Sequence, residues 1–382
     1  VPEQEKPYER LYFLDNLRSF IILLVLVYHA AMAYMVNGPK WFYVIDTQNS
    51  FFFTIFVMVT DVFVMPMMFF IAGFFAIRSL TRKRQQAFWQ DKIVRIVIPY
   101  FAGITLLAPA INDIYFLSRF SAPPGYFDYW ANIFFGLARQ HAHLWFLGVL
   151  TLFFLILSLA YHFYKPLGSV KDEPTLSSIR AIIGFGLVTS VAFFCVKQFV
   201  NDYSWVMVKS VIMFQPTRCV LYVLYFALGV YAHRQQWFTA SGYIPRIKFW
   251  VPSAIVLGSI YPQYKIMFWA KREFLLVMIG NDLLYSFFCL TAVFALVALF
   301  HRWLNYTSKL LSKLAANSYG IYFIHQPIVM LLILAIRDYQ LNVFLKYLVV
   351  SVSAIVLCYL LCEYILAKIP SFSYQDKSVH TR

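Results

Sequence analysis

The stretch from Tyr12 to Tyr34 constrains this chain more than any other. It is long and apolar enough to cross a bilayer, yet Asp15 and Arg18 stand at its entry and His29 lies well inside it. Ionisable groups in hydrocarbon are costly, so a histidine at that depth reads as functional by default. The plainer alternative is a histidine that only hydrogen-bonds a neighbouring helix.

The rest of the chain repeats the apolar pattern. Of 382 residues, 61% are hydrophobic and 13% charged, and the mean hydropathy is +0.67. That charged share is about half that of a soluble domain, and apolar runs of about 20 residues recur. The expected fold is an all-α integral membrane protein with about ten transmembrane helices in one bundle. Spans are expected at 17–36, 51–77, 93–116, 144–164, 179–200, 217–233, 249–268, 282–300, 316–336 and 344–367. Residues 1–16 are then a cytoplasmic segment, 17–368 the membrane domain and 369–382 a cytoplasmic tail. Asn37-Gly38-Pro39 and Pro123-Pro124-Gly125 are turn signals. Residues 130–143 are half polar and are expected to re-enter the membrane or lie in its interface, while 165–178 and 201–216 read as extramembrane loops. Pro99 and Pro109 fall inside the third span, where neighbouring groups can satisfy the freed carbonyls.

The densest basic run is Arg78, Arg82, Lys83, Arg84, Lys92 and Arg95. Cytoplasmic loops carry an excess of Lys and Arg. Placing this run inside puts both termini in the cytoplasm and 21 of the 32 Lys and Arg on the inner side. The net charge of +15 is thus a topological signal before it is a nucleic-acid one. The five cysteines have no metal-ligand spacing and are expected to pack as small hydrophobes. No HExxH, Walker loop or GxSxG elbow is present, so neither a metal nor a bound prosthetic group is expected. The first segment lacks a small-residue cleavage site and is expected to be retained.

Arg18 and His29 are eleven residues apart, roughly 16 Å along a helix and close to three full turns. They share a face, with a cation near the cytoplasm and a base near the midplane. A neutral imidazole there can deprotonate a hydroxyl. Asp61 lies in the outer half of the second span and is a candidate to orient the imidazole, as a carboxylate does in a triad. Its alternative is a partnership with an Arg or Trp of another helix. Lys92 and Arg95, three apart at the mouth of the third span, present two cations suited to a phosphate; ordinary membrane anchoring is the alternative. His143 and Trp145 open the fourth span and His325 lies in the ninth. They are candidates for shaping the substrate site or steadying an oxyanion, although Trp145 also suits an interfacial aromatic.

Six pieces of the chain carry a resemblance. They are YFLDNLRSFIILLVLVYH (Tyr12–His29), MPMMFFIAGFF (Met65–Phe75), KIVRIVIPY (Lys92–Tyr100), AHLWFLGVL (Ala142–Leu150), YFALGVYA (Tyr225–Ala232) and SYGIYFIHQPI (Ser318–Ile328). Together, and in this order, they resemble the acyltransferase-3 family of membrane-bound O-acyltransferases. Within it they look most like the glucan biosynthesis protein C branch, whose members attach succinyl groups to periplasmic glucans. The resemblance implies a multi-pass protein of the bacterial inner membrane, His29 as catalytic base and Arg18 as support for the acyl donor. It implies acyl-coenzyme A as the donor, held by the basic pair Lys92 and Arg95 and by the turn of helix at Gly73. The family's usual serine before that glycine is Ala72 here, so its hydroxyl is missing. Asp15, His143, Trp145 and His325 are assigned to the substrate side. The chain ends soon after the tenth span, so the fused esterase-like domain of some relatives is not expected.

The expected reaction is transfer of an acetyl or succinyl group from cytoplasmic acyl-coenzyme A to a hydroxyl of an extracytoplasmic glycan. A transporter or flippase for an anionic metabolite is the runner-up, since buried Arg and His and a basic mouth would serve it too. No internal repeat is visible, which counts against an inverted-repeat transporter. The sequence sets neither the acyl group nor the oligomeric state. No cation is identified as reserved for a second carboxylate; Arg218, Arg139 and Lys209 are candidates only by their outer-side placement.

Overall fold

The computed structural model describes residues 10–36, 38, 43–121, 125–134, 140–171 and 179–373. Asn37, Pro39, Pro123, Pro124, Arg139, the 172–178 part of the soluble loop and the tail from 374 lie outside these residues.

Ten helices of at least 19 residues stand among the described residues, one at each expected span. They are α1 Tyr12–Met32, α2 Phe51–Arg82, α3 Gln85–Arg119, α4 Trp145–Phe163, α5 Ile179–Lys197, α6 Pro216–Arg234, α7 Ile247–Met267, α8 Leu275–Trp303, α9 Lys309–Ile336 and α10 Val343–Tyr364. Eight are long and apolar enough to cross a membrane. α6 falls short through Arg218, His233, Arg234 and three tyrosines, and α7 through Lys248, Lys265 and two prolines. Both are nonetheless built into the bundle, α6 pressed along α2 and α7 along α8. Outward-facing Val191, Ile255 and Leu348 are all more than half exposed. Such a bare apolar surface is rare on a soluble protein, and a bilayer covers it. The chain is an all-α integral membrane protein.

α1 is the central post and packs against α2, α8, α9 and α10. Its first turns and residues 371–373, beyond α10, line one cavity, so the two ends of the domain meet at one end of the bundle. We call this the basic end, because Lys83 and Lys92 converge there, and the other the far end.

Several boundaries differ from expectation: α9 begins at Lys309 rather than 316 and α2 runs on to Arg82 rather than 77. α1 begins at Tyr12, five residues early, because Asp15 is neutralised by Arg10 and Arg18. α8 begins at Leu275 rather than 282, because Asp282 is matched by Lys197 of α5 at 2.7 Å and need not end the helix. α3 begins at Gln85, leaving only Lys83 and Arg84 between it and α2. α3 also contains two π-helical segments, Ile93–Val97 and Gly103–Leu107. Residues 201–216 hold a short hairpin, β1 Val206–Val208 against β2 Ile212–Phe214, unforeseen in an all-α reading. Three residues, Lys209 to Val211, join the strands, and Lys209 and Ser210 stand in the left-handed region at φ of 46° and 56°.

The closest helix crossing is that of α2 and α6. A Cβ on Gly73 would meet the Phe226 carbonyl oxygen at 2.1 Å, and one on Gly229 would meet that of Phe70 at 2.1 Å. Small residues let membrane helices approach this closely. The contact fixes Asp61 on α2 relative to Arg218 on α6. At the far end a buried ion pair ties α10 to the 43–50 segment. Lys346 Nζ reaches both Asp46 oxygens at 3.0 Å and the Arg337 carbonyl at 2.6 Å.

Candidate active site

One face of α1 carries Arg18, Ile22, Val25 and His29, a stripe at helical spacing. Two cavities open along it. The first, about 290 Å³, lies at the basic end and is lined by Arg18, Lys92, Arg95, Ile22, Ala72 and Tyr319 among others. Arg18 of α1 therefore meets Lys92 and Arg95 of α3 at one mouth. Asp91 holds the two cations of α3, and Lys83 beside them: its carboxylate takes Arg95 Nε at 3.1 Å, Lys92 Nζ at 3.5 Å and Lys83 Nζ at 3.7 Å. The wide π turn Ile93–Val97 carries Arg95; such turns often mark functional sites. Lys92 also lies over the rings of Phe88 and Phe154. Arg18 pairs with Asp15 at 3.6 Å and donates to the Ala315 carbonyl at 3.4 Å, while its Nε is buried without a partner.

The second cavity, about 130 Å³, lies toward the far end and is lined by Tyr28, His29, Asp61, His143, Trp145 and Tyr222 among others. His29 Nδ1 lies 2.8 Å from the Val25 carbonyl. A carbonyl only accepts, which assigns the proton to Nδ1 and leaves the lone pair on Nε2. His325 Nδ1 donates in the same way to the Tyr322 carbonyl at 2.6 Å. Its Nε2 lone pair thus faces the His29 Nδ1–H at 3.3 Å. His29 is oriented by a backbone carbonyl and a second imidazole.

Tyr322 lines both cavities. Its hydroxyl donates to the His143 carbonyl at 2.6 Å and its ring lies against Phe146 at 5.7 Å. The two cavities thus adjoin at Tyr322, with Ile22 of α1 lining the first and Val25 the second.

The sequence-derived candidates divide as follows. Arg18, Lys92 and Arg95 share the first cavity; His29, Asp61, His143 and Trp145 share the second. Asp61 does not hold the imidazole as expected. It accepts from the Tyr28 hydroxyl at 3.3 Å and pairs with Arg218 at 3.5 Å, the alternative partnership weighed for it. Gly73 faces α6 rather than the basic cavity, which its neighbour Ala72 lines. Asp15 belongs to the basic end with Arg10 and Arg18 and not to the far cavity. His325 sits behind His29, 1% exposed. His143 engages Gln326 through Nδ1 and the Phe323 carbonyl through Nε2, both at 2.9 Å, so neither nitrogen remains to steady an oxyanion. Trp145 stacks on Tyr222 at 5.5 Å and meets Trp205 at 5.7 Å, forming an aromatic wall.

Asp91 and Tyr322 were not singled out from sequence. The position of Asp91, one residue before Lys92 and four before Arg95, was the available signal for the first. Tyr322, three residues before His325, carried none beyond its place in SYGIYFIHQPI.

A family model described as an acyltransferase domain (Acyl_transf_3) matches residues 11–363. Curated relatives include "Glucans biosynthesis protein C" of Salmonella typhimurium (strain LT2), 22% identical over 336 residues, 84% of this chain and 83% of that one. The protein of the same name from Shigella dysenteriae serotype 1 is 23% identical over 340 residues, with the same coverage of both chains. No solved structure matches the chain significantly.

Proposed function

The chain belongs to the acyltransferase-3 family of membrane-bound O-acyltransferases, and on that premise we propose that it moves an acyl group from a coenzyme A thioester at the basic end to a glycan hydroxyl at the far end. The observation that carries this reading is the pair of cavities on one face of α1, three cations in one and His29 in the other, separated by Tyr322. The basic end is cytoplasmic in this reading, by the excess of Lys and Arg there. The glycan acceptor is suggested by the name of the relatives, glucan biosynthesis proteins.

Arg18, Lys92 and Arg95 take the donor's phosphates, as cations with several N–H donors do best. The thioester arm follows Ile22, Ala72 and Met68 toward Tyr322, whose ring turns to let the acyl group through. On the far side the acceptor sugar lies against Trp145 and Tyr222. His29 Nε2 takes the proton of its hydroxyl, and the oxygen attacks the thioester carbonyl carbon. The tetrahedral intermediate collapses, the C–S bond breaks, and the leaving thiolate takes the proton back from His29. Ester and free thiol are the products. During the step His325 Nε2 and the Val25 carbonyl accept from His29 Nδ1–H, so the positive charge passing through the ring has partners. A covalent acyl-histidine is not required.

The test is thiol release by purified protein given acetyl- or succinyl-coenzyme A and a gluco-oligosaccharide. Release is expected with acceptor and is expected to fall about 10²- to 10⁴-fold in His29→Ala, the usual range for a lost general base. Lys92→Ala with Arg95→Ala is expected to raise KM for the donor at least about tenfold. Uptake of an anionic metabolite without thiol release would contradict the enzyme reading and favour a transporter.

A further inference from the structure

The basic cavity is walled by α1, α2, α3, α4 and α9 and, past α10 and the short 3₁₀ turn Leu366–Lys368, by Ser371, Phe372 and Ser373. Phe372 sets its ring on Tyr319 of α9, with 5.3 Å between centroids and 24° between planes, and leans on Phe323 at 5.0 Å. Tyr319 and Phe323 are four apart and so share one face of their helix. Phe372 therefore covers both, and its stacking on Tyr319 leaves no gap for a third ring between them.

This wall is held more lightly than the others. Among the described residues, every hydrogen bond made by 369–373 stays within 366–373. The Ile369 N–H donates to the Leu366 carbonyl, the Phe372 and Ser373 N–H groups to the Ile369 carbonyl, and the Ser373 hydroxyl to the Pro370 carbonyl. Phe372 is thus kept on α9 by ring contacts and not by hydrogen bonds, the mark of a segment that opens locally at low cost. The segment also leaves polar atoms of the cavity unanswered. The Tyr319 hydroxyl and Arg18 Nε, on two residues that line it, are buried without a hydrogen-bond partner. Buried polar groups are normally paired, and the acceptor oxygens of a ligand would pair them. An aromatic face beside Arg18, Lys92 and Arg95 is the arrangement that takes a nucleotide, base on the ring and phosphates on the cations. The face of Tyr319 is open to a base only when Phe372 leaves it.

We propose that 369–373 is a strap over the donor cavity and Phe372 its plug: the ring holds on Tyr319 the place that the base of the donor's nucleotide takes, and donor binding swings the strap out. The proposal rests on the reading of the donor as a coenzyme A thioester. The strap lowers the apparent affinity for the donor in proportion to the time it spends closed, so the segment after α10 sets how readily the basic end is filled.

The test is binding of adenosine 3′,5′-bisphosphate, a nucleotide without the thioester arm, to the full chain in detergent. Phe372→Ala is expected to tighten binding about tenfold, as removal of a plug that is in place roughly nine-tenths of the time does. Tyr319→Leu is expected to weaken it about tenfold through the lost stacking face, and to cancel the gain from Phe372→Ala. Phe372→Trp supplies a reporter that decides the matter if Phe372→Ala does not fold: the nucleotide is expected to shift the added indole emission, and pyrophosphate, which offers phosphates without a base, is expected to leave it in place. Unchanged or weaker nucleotide binding in Phe372→Ala, an equal emission shift with pyrophosphate, or no nucleotide binding at all would each overturn the proposal. Thiol release is read separately. Release from an acyl-pantetheine without any nucleotide binding keeps the acyl-transfer reading and ends the strap, whereas nucleotide-driven release of the indole with no thiol from any thioester does the reverse.

Discussion

At the scale of single residues, the site turns on how His29 is held. The Val25 carbonyl and His325 Nε2 share its Nδ1 proton, and Nε2 is left to accept one. His325→Ala is expected to lower kcat about 10- to 100-fold with little change in KM, as losses of orienting partners do. His325→Gln, whose amide oxygen still accepts, is expected to recover part of it. Asp61→Asn is expected to cost less than His325→Ala, because Asp61 serves Tyr28 and Arg218. Steady-state kinetics on the three variants give the order. His29 itself was legible in the sequence, since its depth and its spacing from Arg18 are one-dimensional facts. The partner of its ring was not. Asp61 and His325 lie 32 and 296 positions away, and only the packing of α9 against α1 decides between them.

At the scale of helices, two contacts tie elements of the bundle together. The first is the glycine crossing of α2 and α6. Gly73→Ala or Gly229→Ala places a methyl carbon against backbone, so the helices must part, at a cost of about 1–3 kcal/mol. Gly184→Ala on α5, with nothing within 4 Å, is the control and is expected to leave the melting temperature in place. The second is the Lys346–Asp46 pair, both 0% exposed in their side chains. Lys346→Met strands a buried carboxylate and is expected to destabilise by about 3–5 kcal/mol, while Lys346→Met with Asp46→Leu is expected to recover most of the loss. Thermal unfolding in detergent reads both. Helix positions were legible because apolar runs of membrane length are unmistakable. Helix ends were less so where a charge is neutralised by a distant partner, as at Asp282. The hairpin was missed because three-residue strands are too short for a periodic signal.

At the scale of the whole molecule, α1 is read in two directions. Its basic end meets Lys92 and Arg95, its last turn meets His325 through His29, and Tyr322 stands where the two cavities adjoin. The grouping of Arg18 with Lys92 and Arg95 followed from charge alone, since all three belong at the basic side of their spans. The meeting of the two cavities at Tyr322 is a property of several helices together and leaves no mark in any one of them. On the proposed reading, donor and acceptor need never share a compartment. The direct measurement uses protein reconstituted in vesicles, with acyl-coenzyme A facing the basic end and a gluco-oligosaccharide sealed on the other side. Mass spectrometry then reads the sealed oligosaccharide. Acylation in the native protein and none in His29→Ala is the predicted result; acylation only when both substrates are on one side of the membrane would contradict the account.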